Sequence, residues 1–196
     1  AATLTACNVL WGTELSPDEL RDLAAQLGAD VPFPLMGATA VGHGRGDQLT
    51  PLMTRGRYLW VLAFAAHGGL STPTVFRRFD ELVEARSSLA GAAPAEVPER
   101  MTSALRTRDA RGLAATLHND LQDAAFDLRP ELAQVIAVAE EAGALRAIVS
   151  GSGPTIAALV ENPAGAQRVS RALMASGLVA DVLRADAPVA GARVVG

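Results

Sequence analysis

The sequence predicts an α+β fold, and three observations predict it. Apolar residues make up 49% of the 196 positions and charged residues 19%, a balance that supports a sizeable core and argues against disorder. Helix-start chemistry recurs before amphipathic runs. The second half mixes those helices with hairpin-like strands, which points to α+β layering. No repeat at a fixed period is present.

Taken in order, residues 1–10 read as helix, with Leu4, Ala6 and Leu10 spaced two to four apart and Cys7 beside Ala6. The chain opens without Met or a capping residue, as though inside a helix, and the expectation is that an upstream part exists. Ser16-Pro17-Asp18-Glu19 is a helix start with a capping box: Ser16 caps, Pro17 suits the first helical position, and Glu19 reaches back. That helix runs to Leu27, with Leu20, Leu23, Ala24 and Leu27 on one face and Gly28 ending it at positive φ. Residues 28–33 form a loop entering a short helix or turn. Strands near 38–41 and 47–52 flank a turn at Gly42-His43-Gly44-Arg45-Gly46. Residues 58–64, aromatic and β-branched, form a strand.

Ser71-Thr72-Pro73 opens a helix over 74–85. Residues 87–98 shift to Ala, Gly, Ser and Pro and read as a mobile surface loop. Helices follow at 98–107, 110–117 and 130–142. Strands at 147–150 and 155–160 enclose a tight turn at Gly151-Ser152-Gly153-Pro154, and a helix at 163–176 leads to strands at 179–184 and 191–195.

Composition excludes several functions. The formal charge is −4, the 17 basic residues are all arginine, and they form no basic cluster, so no nucleic-acid partner is expected. No apolar run reaches the roughly 18 residues of a membrane span, and no secretory signal is visible. One cysteine, Cys7, allows no internal disulfide and implies a reducing, cytoplasmic setting; its expected role is core packing. His43, His67 and His118 lack metal-site spacing, so no protein-held metal is expected. Trp11 and Trp60 read as packing residues.

Three segments can carry chemistry. Asp30, followed by Val31-Pro32-Phe33, is framed by a proline of fixed φ. It can take a substrate hydroxyl's proton in phosphoryl transfer, or it can cap the following turn. In Gly151-Ser152-Gly153-Pro154-Thr155, small residues let a ligand approach backbone N–H groups, or the segment is an ordinary hairpin turn. In Leu70-Ser71-Thr72-Pro73-Thr74-Val75-Phe76, hydroxyls and an aromatic face can meet a ligand, or Ser71 or Thr72 caps a helix and Phe76 sits in the core. Gly42 to Gly46 lacks the Lys-Ser/Thr ending of a Walker loop and reads as a β-turn with Arg45 exposed. Asn119-Asp120 reads as a cap for the segment beginning at Leu121.

Together these segments resemble the diphosphocytidyl-methylerythritol kinases of the GHMP superfamily. Leu27-Gly28-Ala29-Asp30-Val31-Pro32-Phe33 resembles their catalytic-aspartate segment. Gly69-Leu70-Ser71-Thr72-Pro73-Thr74-Val75-Phe76 resembles their nucleotide-substrate segment, and Val149-Ser150-Gly151-Ser152-Gly153-Pro154-Thr155 the superfamily's C-terminal glycine motif. The order and spacing agree, over nearly the whole chain. The resemblance implies that residues 1–70 are the remainder of an N-terminal domain and residues 71–196 a ferredoxin-like C-terminal domain. It implies ATP-dependent phosphorylation of the 2-hydroxyl of 4-diphosphocytidyl-2-C-methylerythritol in isoprenoid precursor synthesis, with magnesium accompanying ATP. It assigns Asp30 to hydroxyl activation, Phe76 to stacking on cytosine and Thr72 to the cytidine side of the substrate. Gly151, Ser152 and Gly153 go to a loop that faces the phosphate loop and shapes the cleft. The family's phosphate loop and catalytic lysine lie upstream of Ala1, so the chain alone is expected to be inactive. The rival readings are another GHMP kinase, acting on homoserine, mevalonate or galactose, and a non-catalytic binding fragment; a base-stacking aromatic separates the first rival.

Overall fold

The computed structural model describes residues 1–66, 68–87 and 97–195. His67 and the centre of the loop predicted at 87–98 lie outside the described residues. The chain forms two compact units. One comprises Ala1–Arg55 together with the residues from Ala187 onward, and the other comprises Gly56–Asp186. The units part at 55/56, and the strand at 58–65 belongs to the second unit's sheet.

The first unit holds helices α1 (Ala2–Leu10), α2 (Pro17–Leu27) and α3 (Pro32–Met36), then the antiparallel hairpin β1 (Ala40–His43) and β2 (Gln48–Pro51). Asn8 fixes the α1–α2 connection. Its Oδ1 accepts from the Leu15 N–H at 2.9 Å and its Nδ2 donates to the Leu15 carbonyl at 3.1 Å. The predicted capping box is present: Ser16 accepts from the Glu19 N–H, and the Glu19 carboxylate accepts from the Ser16 N–H at 2.8 Å. The Ser16 hydroxyl, which donates to the Glu19 carboxylate at 2.7 Å, and then the Ser16 N–H hold the Glu19 carboxyl below its ordinary range.

Several expectations are corrected here. Of the α2 stripe only Leu20 and Ala24 are buried, while Leu23 and Leu27 face solvent. Gly28 ends α2 at φ 168°, extended backbone that any residue adopts, so no positive-φ cap is used. Trp11 is exposed rather than packed, and Cys7 is only partly buried. The final segment is not the strand predicted at 191–195. It makes one isolated bridge, Gly37 to Ala190, and the Ala192 N–H is taken by the Pro34 carbonyl at 2.8 Å. Its partner is the end of a short helix, which offers no continuous ladder. Gly37, at φ +67°, has no room for a Cβ against the Gly191 backbone.

The second unit is built on a four-stranded sheet. Its strands are β3 (Tyr58–Ala65), β4 (Arg146–Val149), β5 (Ile156–Val160) and β6 (Val179–Ala187), in spatial order β4-β5-β3-β6. Each of β3 and β4 runs antiparallel to β5, with Val61 opposite Ala158 and Ala147 opposite Ala158. Helices α4 (Thr72–Ser87), α5 (Glu99–Thr107), α6 (Ala110–Ala114), α7 (Gln122–Leu128) and α8 (Glu131–Glu141) lie between β3 and β4, and α9 (Pro163–Ala175) joins β5 to β6. This strand order is the expected ferredoxin-like arrangement.

Strand alternation sorts the side chains into two faces. Val61, Ala63, Ile156, Ala158 and Val160 meet Leu132, Val135 and Ala139 of α8 and Val169 and Leu173 of α9 in the main core. On the other face Tyr58 and Leu159, with Trp60 packed alongside, meet Ala104 of α5 and Leu113 and Ala114 of α6. The Tyr58 hydroxyl donates to the Ala104 carbonyl at 3.0 Å, and burial pushes its phenol up. The helix predicted at 110–117 stops at Ala114, and the sequence reading did not delimit α7.

Candidate functional site

The second unit brings two of the three sequence-selected segments together. β3 delivers the chain to Leu70, and α4 begins at Thr72, where the Ser71 carbonyl accepts from the Thr74 and Val75 N–H groups at 2.9 and 3.0 Å. Val75, fully buried, anchors the helix. Phe76, the next residue, is rotated about 100° around the axis and stands 49% exposed. The core position weighed for Phe76 is therefore not the one it occupies.

Eighty residues on, the β4–β5 connection forms the glycine turn. Gly151 and Gly153 have φ +58° and +78°, values that a side chain would strain. The turn is closed by the Ser150 N–H to the Thr155 carbonyl at 2.8 Å and the Gly153 N–H to the Ser150 carbonyl at 3.0 Å. At Gly153 the Leu70 side chain lies close enough that a Cβ would be in tight contact with it. The Ser152 and Thr72 hydroxyls are 2.9 Å apart and share a hydrogen bond. Thr72 thus ties the start of α4 to the turn instead of capping its own helix. Among the described residues, the N–H groups of Gly151 and Ser152 donate to no protein acceptor. An exposed aromatic face, two hydroxyls and two free amides can meet a ligand that combines a planar ring with an anionic group.

Two residues not selected for chemistry support this turn. Asn119 accepts from the Leu121 N–H at 3.0 Å in a turn ahead of α7, whose own N-cap, Leu121, has no side-chain cap bond, so the helix cap expected of Asn119-Asp120 is not made. The Asn119 amide also donates to the carbonyls of Val149 and Gly151, both at 2.8 Å. Gln122 accepts from the Val149 N–H at 3.0 Å. A polar turn before α7 was legible in sequence; the contacts some 30 residues away have no local signature.

Asp30 belongs to the first unit. It lies exposed in the turn between α2 and α3, which the Val31 N–H closes onto the Gly28 carbonyl at 3.2 Å. The N-cap of α3 is Val31, with no side-chain cap bond, so the capping role weighed for Asp30 is not made. Among the described residues no donor occupies its carboxylate. Arg45 is engaged: it pairs with Asp47 at 2.6 Å and holds that carboxyl below its ordinary range. His118 pairs with Asp120 at 2.8 Å. Among the described residues no three His, Cys, Asp or Glu side chains gather to hold a metal, and no helix is long and apolar enough to cross a membrane.

Comparison with known proteins adds to this geometry. Residues 101–179 match the family model described as GHMP kinases C terminal. The chain is 50% identical over 195 residues to the 4-diphosphocytidyl-2-C-methyl-D-erythritol kinase of Salinispora arenicola (strain CNS-205), covering 99% of this chain and 61% of that protein. It is 51% identical over 198 residues to the enzyme of the same name from Leifsonia xyli subsp. xyli (strain CTCB07), covering 100% of this chain and 63% of that protein. The chain therefore spans about three fifths of the length of the curated relatives it matches. Among solved structures it resembles a 4-(cytidine 5'-diphospho)-2C-methyl-D-erythritol kinase, with TM-score 0.70 and 31% identity over 92% of this chain and 60% of that one. It also resembles L. major mevalonate kinase in complex with R-mevalonate, with TM-score 0.67 and 17% identity over 95% of this chain and 63% of that one, a likeness of fold alone.

Proposed function

We propose that this chain, which belongs to the 4-diphosphocytidyl-2-C-methyl-D-erythritol kinase family of the GHMP kinases, is part of a cytoplasmic enzyme that phosphorylates the 2-hydroxyl of that cytidine-linked sugar alcohol with ATP. The observation that carries the choice of substrate is Phe76. It stands half-exposed beside the Thr72–Ser152 hydroxyl pair, as a base-stacking residue needs. Mevalonate, homoserine and galactose have no base to stack.

In this reading the Asp30 carboxylate accepts a hydrogen bond from the substrate hydroxyl and takes its proton as the oxygen attacks the γ-phosphorus; the bond to the leaving ADP oxygen breaks in the same transfer. Among the described residues no donor holds it, which leaves it available for that bond. Phe76 offers a face to cytosine and Thr72 a hydroxyl to the cytidine side. Gly151 and Ser152 present backbone amides on a turn whose glycines, Gly153 among them, let a ligand approach closely. ATP with its magnesium supplies the phosphoryl group.

The test is phosphoryl transfer by the full-length product of the same gene. Asp30→Asn keeps shape and removes the base; kcat is expected to fall about 10²–10⁴-fold with the fold intact by circular dichroism. Phe76→Ala is expected to raise KM for the cytidine-linked substrate about tenfold or more, from lost stacking, with KM for ATP unchanged. Turnover of homoserine or mevalonate in place of this substrate would overturn the choice of family member. Undiminished turnover by Asp30→Asn would remove Asp30 from the mechanism.

A further inference from the structure

We infer that Asn119 is the positioning residue of the glycine turn, holding the Ser152 amide directly, and that of Gly151 through the turn it fixes, in the orientation that a bound anionic group requires. Its catalytic consequence rests on the kinase reading above; its effect on the turn does not.

The Asn119 side chain has one carbonyl oxygen and two N–H donors available here. The oxygen is committed to the Leu121 N–H at 3.0 Å, so the NH2 group must face the turn. There its two hydrogens reach the Val149 and Gly151 carbonyls, each at 2.8 Å, on either side of Ser150. A carboxylate in its place has acceptors only and would set negative charge against both carbonyls.

The two carbonyls determine the amides that follow. In a trans peptide the C=O and the next N–H point in opposite directions, and neither of these peptides is among the cis bonds of the chain. Turning the Val149 carbonyl toward Asn119 sends the Ser150 N–H toward Thr155, where it bonds at 2.8 Å. Turning the Gly151 carbonyl toward Asn119 sends the Ser152 N–H away from it. The Ser150 carbonyl is held by the Gly153 N–H at 3.0 Å, and that sends the Gly151 N–H outward too. The two free amides are thus the far ends of peptides held from behind. With positive φ at Gly151 and Gly153, the turn has wide freedom without such holding. Gln122, bonded to the Val149 N–H from the first turn of α7, fixes the strand end at the same point. Ser152 carries the orientation on to Thr72 through the hydroxyl bond at 2.9 Å.

The test uses Asn119→Asp in the full-length product. This variant keeps the acceptor for the Leu121 N–H, so α7 retains its start, and loses both donors while the carboxyl is ionised. At pH 8 it is expected to show faster hydrogen exchange at Ser150 and Gly153, whose bonds close the turn, with the α8 amides unchanged. Its kcat is expected to fall about 10–100-fold with the unfolding midpoint little altered. Lowering the pH toward the ordinary carboxyl range near about 4 restores one donor. The exchange rates, corrected for their intrinsic pH dependence, then move back toward wild type. Activity relative to wild type rises over the same acid range, which a merely structural loss would not do. Wild-type exchange at Ser150 and Gly153 in Asn119→Asp at pH 8 overturns the inference. So does a fall in activity that follows the folded fraction alone. If the wild-type protein does not act on the cytidine-linked substrate, the kinase reading fails, and the exchange measurement still decides the role of Asn119.

Discussion

The two units are stabilised by different means. The second buries a contiguous apolar core on one face of its sheet and a smaller cluster on the other, with Leu132, Ile156, Leu159 and Leu173 all but inaccessible. The first contributes only Leu20, Ala24, Pro32 and Gly37 to the buried set among the described residues, and α1 buries none. Its order rests on directional bonds: the Asn8 bracket, the Ser16 capping box, and the backbone bonds from Ala38 to Val189 and from Ala192 to Pro34. Burial of a leucine contributes more than a net hydrogen bond does. Sequence edits should therefore cost the two units different amounts, although both carry residues assigned to function.

The sharpest probe of that contrast is Leu132→Ala. The cavity it opens in the main core is expected to cost about 2–5 kcal/mol, read by urea unfolding and by exchange of β5 amides. The matching deletion in the first unit, Leu20→Ala, removes a side chain 9% exposed on a stripe whose other leucines already face water. About 2 kcal/mol or less is expected there, seen in α2 amides and not in the sheet. A loss at Leu20 equal to that at Leu132 would break the comparison.

Next in size is Ser16→Ala, which removes the capping box for about 1 kcal/mol. It also carries a pH signature. The Glu19 carboxyl is held below its unfolded value of 4.5 by Ser16. Its contribution is therefore present above that value and is lost as the pH falls through the lower, folded one. In Ser16→Ala the acid dependence of α2 protection in that window should flatten. The smallest effect is expected from Arg111→Ala. Arg111 makes a two-point pair with Glu161 at 3.0 and 3.1 Å, but both are exposed. Its loss should cost under about 1 kcal/mol and fade further at high salt, by the same urea measurement.

Most elements were legible because their signals are local. Ser16-Pro17-Asp18-Glu19 declares a helix start through chemistry within four residues, and the run from Tyr58 declares a strand through residue type. Where a local pattern depended on a distant partner, the reading failed. Residues 191–195 are strand-like in composition, yet the surface they meet is the end of α3. Leu23 and Leu27 share a stripe with Leu20, yet they remain uncovered. Trp11 looked like a packing residue and is 69% exposed.

By itself the sequence determined the α+β class and the order of nearly all the elements. Propensity, capping and turn chemistry are written within a few residues of where they act. Only the tertiary structure decided that Phe76 faces solvent while Val75 fills the core, and that the Thr72 hydroxyl finds Ser152. It alone brought the Asn119 amide to the carbonyls of a turn some 30 residues away. Those outcomes depend on which strands become neighbours, and pairing across the sheet order β4-β5-β3-β6 is a property of the whole chain's packing.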